Sequence, residues 1–211
     1  MNPWPEIHRQ RLAVADLLDS LDPGEWARPS LCDGWTIHDV AAHLTLQQLR
    51  FRDVLRMPRH WKGSMDRTIQ AAAQRRAAEL SPRQIIADIR DTAGLRRRNF
   101  GVTPVETLTD LLVHSQDIAL PLCRDHPMPP TAAAVCAQRT LTMRIPPPPP
   151  SVRAIAGLHL AATDTAWSFG DGPEVRGPTA ALLLVCCGRG VALPQLSGPG
   201  VDLLAARLLP A

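Results

Sequence analysis

The stretch TPVETLTDLLVHSQDIAL, Thr103 to Leu120, decides how the chain is read. Thr103 is a helix N-cap, Pro104 suits a first helical position that needs no amide hydrogen, and Glu106 completes a capping box. The helix ends before Pro121, which cannot continue it. Leu108, Leu111, Leu112, Val113 and Ile118 project in several directions, and a helix apolar on most sides is a buried one. Within it Asp110, His114 and Asp117, spaced by four and three residues, stack in one narrow arc. Ionisable groups without partners there would be costly, so something must compensate them.

Glu106 is accounted for by the cap, whereas Asp110 lies too far along the helix to cap anything. Two compensations stay open. A D-x-x-x-H pair on one helix is most often an internal ion pair or a hydrogen-bonded core histidine. Alternatively, Asp110 and His114, joined by a core-facing histidine such as His43 from a neighbouring helix, make three ligands of the kind catalytic zinc uses, with a fourth position open. Asp117 would then orient a ring nitrogen from behind.

Working outward, the first two-thirds of the chain read as helices. Pro5 starts one, Ile7, Val14, Leu17, Leu18 and Leu21 recur along it, and Asp22-Pro23-Gly24 stops it. TIHDVAAHLTLQQLRFRDVL opens on a Thr36/Asp39 capping pattern and carries an apolar stripe of Ile37, Val40, Leu44, Phe51 and Leu55, with His43 at its edge. A third helical region covers about Asp66 to Leu80, and Ser81-Pro82 restarts a helix carrying Ile85, Ile86, Ile89 and Ala93. Short connections make an up-down four-helix bundle the default. After a short helix around Thr131 to Met143, the run RIPPPPPS suits neither helix nor central strand and reads as a polyproline spacer. The expected division is a helical domain over 1–145, a linker at 146–150 and a small α+β domain over 151–211. In that last part GLHLAATD alternates like a strand, and PTAALLLVCCG and GVDLLAARLL look helical.

Composition narrows the function classes. At 211 residues and 45% hydrophobic, the chain can bury a real core. No window resembles a membrane span or a signal peptide, so a cytoplasmic protein with no membrane partner is expected. The net charge of +3 rests almost wholly on arginine, Lys62 being the one lysine, which reflects a GC-rich source; with 4% aromatics and no basic stripe among them, nucleic-acid binding is not expected. Leu95 to Arg98, LRRR, reads as a solvated helix end. Cys32, Cys123, Cys136, Cys186 and Cys187 are odd in number and form no C-x-x-C pair, so reduced thiols are expected, with Cys186 and Cys187 in the core. Cys32, near a helix N-terminus, raises the question of a nucleophile, although a packed cysteine is the plainer reading. Trp35 and Trp167 read as packing residues.

The phrases WARPSLCDGWTIHDVAAHL (Trp26–Leu44), DLLVHSQDI (Asp110–Ile118) and GLHLAATDTAWSFGDGPEVRGPTAALLLVCCGRG (Gly157–Gly190), in this order, resemble the mycothiol-dependent maleylpyruvate isomerase family of actinobacteria. The resemblance implies an α+β architecture: a DinB-like up-down four-helix bundle followed by a small α/β domain similar to sterol carrier proteins. It also implies that His43 and His114 bind a divalent metal, zinc first among the choices, together with a carboxylate four residues before the second histidine. Here that residue is Asp110, where the best-known members have glutamate. Mycothiol, a low-molecular-weight thiol, would meet the metal and lose its proton there. Its sulfur would then attack a small-molecule electrophile, giving cis-trans isomerisation or S-transfer. An arginine, with Arg50 and Arg176 as options, would steady the developing charge. Competing readings are a hydrolase using metal-activated water, and a binding or regulatory module whose site has decayed. Monomer and homodimer are both compatible with the sequence.

Overall fold

The computed structural model describes residues 2–48, 62–99 and 101–209. The chain divides into two compact units, Met1–His126 and Pro127–Ala211.

The first unit is helical. Among the described residues its α-helices are α1 (Trp4–Asp19), α2 (Ile37–Thr45), α3 (Met65–Glu79), α4 (Pro82–Thr92) and α5 (Pro104–Ala119). Local chemistry sets most of the starts. Thr36 and Asp39, Ser81 and Gln84, and Thr103 and Glu106 form reciprocal capping boxes on α2, α4 and α5, and Ser64 caps α3. The helical region expected over Asp66 to Leu80 and the helix restarted at Ser81-Pro82 are α3 and α4, separated where Leu80 goes extended and Ser81 caps anew.

α1 packs on α4 and α5, and α2 packs on α3, α4 and α5. Ile7, Val14 and Leu18 of α1, Ile37, Val40 and Ala41 of α2, Ile85 of α4 and Leu108, Leu111 and Leu112 of α5 are sealed from solvent. α3 buries only the small residues Thr68, Ala73 and Ala77, as a helix lying close to its neighbour would. After Thr45 the chain tightens into a 3₁₀ turn, Leu46–Gln48. Phe51 and Leu55, expected on the same stripe, lie outside the described residues. Leu95 to Arg98 lie exposed just beyond the end of α4.

The second unit comprises α6 (Pro130–Thr142), α7 (Val152–Ile155), β1 (His159–Ala162), β2 (Ser168–Phe169), β3 (Glu174–Gly177), α8 (Thr179–Cys186) and α9 (Val201–Leu208). The sheet order is β2-β1-β3: β1 pairs antiparallel with β2, Leu160 opposite Phe169, and parallel with β3, Leu160 opposite Val175. Gly170 and Gly172 turn the chain between β2 and β3 at φ of 79° and 131°, where a Cβ would strike the carbonyls of Leu158 and Gly157. α8 packs on α6 and on the sheet.

The dividing line falls before α6 rather than at the prolines. α6 buries Ala132, Ala133, Cys136 and Ala137 and packs against α8, so it belongs to the second unit, and the run 146–150 connects α6 to α7 within that unit. Among the described residues no helix is long and apolar enough to cross a membrane.

Candidate metal centre

Three segments of the first unit supply the polar groups. The loop before α2 is a tight turn: Ser30 N–H donates to the Trp35 carbonyl at 2.9 Å, Trp35 N–H to the Cys32 carbonyl at 3.0 Å, and Gly34 takes a φ of 74°. The Thr36 capping box then fixes the start of α2, placing His43 two turns in. α5 presents Asp110, His114 and Asp117, with Leu111, Leu112 and Ile118 anchoring the helix in the core.

His43, Asp110 and His114 converge. One carboxylate oxygen, Asp110 Oδ1, stands 3.4 Å from His43 Nε2 and 3.3 Å from His114 Nε2, and one ligand atom from each of the three residues lies within 4.8 Å of the others. These separations bear on what the cluster can hold. Ligand atoms about 2.1 Å from a tetrahedral zinc stand about 3.4 Å apart, the edge of the tetrahedron. A direct charge-assisted hydrogen bond would draw the same atoms to about 2.7–2.9 Å. The donor set of two imidazoles and one carboxylate therefore fits a divalent ion in chemistry and along two edges. The second oxygen, Oδ2, accepts a hydrogen bond from Gln47 Nε2 at 2.6 Å.

The other side of the His114 ring is spaced differently. His114 Nδ1 lies 2.8 Å from Asp117 Oδ2, and Cys32 Sγ donates to the same oxygen at 3.1 Å while standing 3.6 Å from Nδ1. Asp117 is fully buried, and an ionised carboxylate only accepts, so Nδ1 carries a hydrogen and Nε2 is the nitrogen turned toward Asp110. Cys32, His114 and Asp117 also have a ligand-like composition, but their short contacts are those of a hydrogen-bond relay. Trp35 closes the wall, stacked beside His114 with ring centres 6.4 Å apart and edge-on to His43 at 5.5 Å. His43 Nδ1 is buried without a partner among the described residues, which leaves this ring less restrained than His114.

Electrostatics tie the cluster together. Burial opposes the charge on Asp110, but His43 and His114 outweigh it and hold the carboxyl well below the usual range. Burial likewise opposes protonation of His114, yet the charge of Asp110, together with the hydrogen bonds His114 makes with Asp110, Asp117 and Cys32, drives it well above an ordinary imidazole. The cluster thus favours positive charge at its centre, supplied by protons when no metal is bound. The two compensations left open by the spacing, an internal ion pair and a divalent ion, are both compatible with this arrangement.

Asp117 sits behind His114 as the spacing predicted, and Trp35 packs as expected but on the imidazoles. Cys136 and Cys186 are buried, Cys187 is half-buried, and none of the five cysteines is in a disulfide. Arg50 lies outside the described residues, and Arg176 is an exposed residue of β3 in the second unit. Sequence reasoning missed Gln47, although it follows His43 by four residues, a spacing that itself signals a shared face. It also missed that Cys32 and Asp117, 85 residues apart, meet.

Residues 7–106 match the family model of the mycothiol maleylpyruvate isomerase N-terminal domain. The N-terminal unit belongs to that domain family. The span matched to the mycothiol maleylpyruvate isomerase domain includes His43 and stops short of Asp110 and His114. The whole chain also resembles the crystal structure of the mycothiol-dependent maleylpyruvate isomerase, with a TM-score of 0.56 and 14% identity over 93% of this chain and 91% of the other. The structure of a histidine-to-alanine mutant of the isomerase gives 0.53 and 15% over the same shares. At these identities the likeness is one of fold: a helical N-terminal part joined to a small α/β part. No curated protein matches the chain in sequence.

Proposed function

We propose that the protein is a metal-dependent enzyme that uses mycothiol, activating its thiolate for addition to a small electrophile and ending in cis-trans isomerisation or S-transfer. Zinc is the metal that best suits two imidazoles and one carboxylate oxygen, and when bound it would acidify a thiol occupying the fourth position. The observation that carries the reading is the spacing around Asp110 Oδ1, 3.3 and 3.4 Å from the two imidazole nitrogens.

The chain's own groups have distinct tasks in this reading. Asp117 keeps the hydrogen of His114 on Nδ1 and so leaves Nε2 free to ligate. Trp35 shields both rings and limits water around them. Asp110, a third exposed, faces the side from which a thiol and its electrophile would enter, whereas His43 and His114 lie deeper at 15%. The shared fold and the N-terminal domain family favour thiol chemistry over water activation. Because the shorter acid still reaches both imidazoles, the geometry gives no support to a decayed site. A mycothiol-using enzyme works where thiols are kept reduced, which agrees with five cysteines outside any disulfide and points to the cytoplasm.

Elemental analysis of the purified protein tests the proposal. Near-stoichiometric zinc is expected, lost in His114→Ala and in Asp110→Asn. Replacing zinc with cobalt and adding a mycothiol analogue should produce a sulfur-to-cobalt charge-transfer band. A protein that takes up no metal, or cobalt protein whose spectrum ignores the thiol, overturns the reading.

A further inference from the structure

Asp110 is where this chain departs from the pattern implied by the resemblance, having one methylene fewer than the glutamate of the best-known members. A carboxylate has two equivalent oxygens, so nothing in the residue itself decides whether one or both face the imidazoles. If both turned inward on a bound ion, the second would occupy the position an incoming sulfur needs.

Gln47 breaks that equivalence. It follows α2 within the 3₁₀ turn Leu46–Gln48 and is only 4% exposed, so its side chain is held in the interior. Its Nε2 donates to Asp110 Oδ2 at 2.6 Å, while Oδ1 is the oxygen at 3.3–3.4 Å from both histidines. The amide orientation follows from chemistry, because reversing it would set two acceptors against each other. That orientation leaves Gln47 Oε1 buried with no partner among the described residues. An unsatisfied buried acceptor is costly, and the arrangement tolerates it with Nε2 aimed at the acid.

We propose that Gln47 is a positioning residue that makes Asp110 a one-oxygen ligand, holding Oδ2 so that the centre keeps an open place for the thiol. The inference rests on the metal reading above and deepens it. It also explains how a shorter acid serves: aspartate has less reach but fewer torsions, and the amide removes the remaining freedom.

The test uses the full chain, stripped of metal and titrated with cobalt(II) against a chromogenic chelator. The variants are wild type, Gln47→Met, Gln47→Ala, Asp110→Glu and Asp110→Glu with Gln47→Met. Two substitutions at Gln47 keep the comparison intact should one fail to fold, and the melting temperature of each metal-free protein monitors folding. In the aspartate background, loss of the amide should weaken cobalt binding by about tenfold or more and change the visible band intensity. In the Asp110→Glu background, the same loss should matter by less than about threefold, because the longer side chain carries its carboxylate out of the amide's reach. Equal losses in both backgrounds would reveal general damage and overturn the proposal. So would a Gln47→Met protein with wild-type affinity and spectrum, which would leave the metal reading standing. Wild-type protein that binds no cobalt would remove both.

Discussion

Each unit has a buried helix, and the two solve the problem of burial differently. α8 is sealed by apolar side chains: Leu182, Leu183, Val185 and Cys186 are fully excluded from solvent. Its single buried hydroxyl, on Thr179 at the helix start, is satisfied by Asp164. α5 also buries Leu108, Leu111, Leu112 and Ile118, yet runs Asp110, His114 and Asp117 along one arc. Burial therefore does not require ionisable groups. In α5 they meet one another and His43, Gln47 and Cys32, an investment in polar contacts that a core-building helix does without.

The largest expected effect comes from damaging the apolar solution. Leu183→Ala removes a fully buried side chain and leaves a cavity, which should destabilise the second unit by about 2–5 kcal/mol. Urea unfolding measures this, and metal content of the folded protein at low urea should match wild type. A cost below about 1 kcal/mol would mean that α8 is not the core element its burial indicates.

This contrast also marks how far the sequence could be read. Helix starts were legible because caps are local: Thr36/Asp39 and Thr103/Glu106 form the boxes their spacing announces. The α5 stripe was legible for the same reason, as Asp110, His114 and Asp117 lie within two turns. The break at Ser81 was legible too, because Ser81 and Pro82 announce a new helix start. What remained hidden was tertiary. Cys32 meets Asp117 across 85 residues and Gln47 meets Asp110 across 63, and no periodicity encodes such pairings. The domain boundary was misleading because five prolines look like a spacer, while the packing of α6 on α8, which assigns α6 to the second unit, leaves no mark in local sequence.

A smaller effect, confined to α5, appears with pH. Asp110 has its folded pKa depressed, so its contribution is present above the unfolded value near 4 and fades as pH falls through the lower folded value. His114 has its folded pKa raised, so its contribution is full below about 6.5 and fades as pH rises through the higher folded value. Metal-free protein should therefore be most stable between roughly pH 4 and 6.5, with His114→Gln flattening the alkaline decline. Added zinc should reverse that decline, since protons and metal compete for Nε2 and the competition eases as pH rises. Thermal melts from pH 4 to 8.5, with and without zinc, make the check. Metal-free protein that gains stability steadily toward pH 8 would contradict the coupling drawn for this helix.

The smallest effect belongs to Cys32, and it separates a supporting thiol from a reacting one. Sγ lies on the Nδ1 side of His114, donating to the buried Asp117 carboxylate, away from the nitrogen that faces Asp110. A thiol is a weak donor, and Asp117 retains its shorter bond to His114, so Cys32→Ala should cost about 1 kcal/mol or less. Cys32→Ser, which restores a donor, should recover part of it. Zinc affinity should fall by less than about tenfold in either variant, because the link to the ligand passes through Asp117 rather than directly to the metal. Were Cys32 the nucleophile instead, turnover would vanish in both variants while stability and metal content stayed unchanged. The two roles thus predict opposite pairings of activity with stability, and measuring both on the same two proteins decides between them.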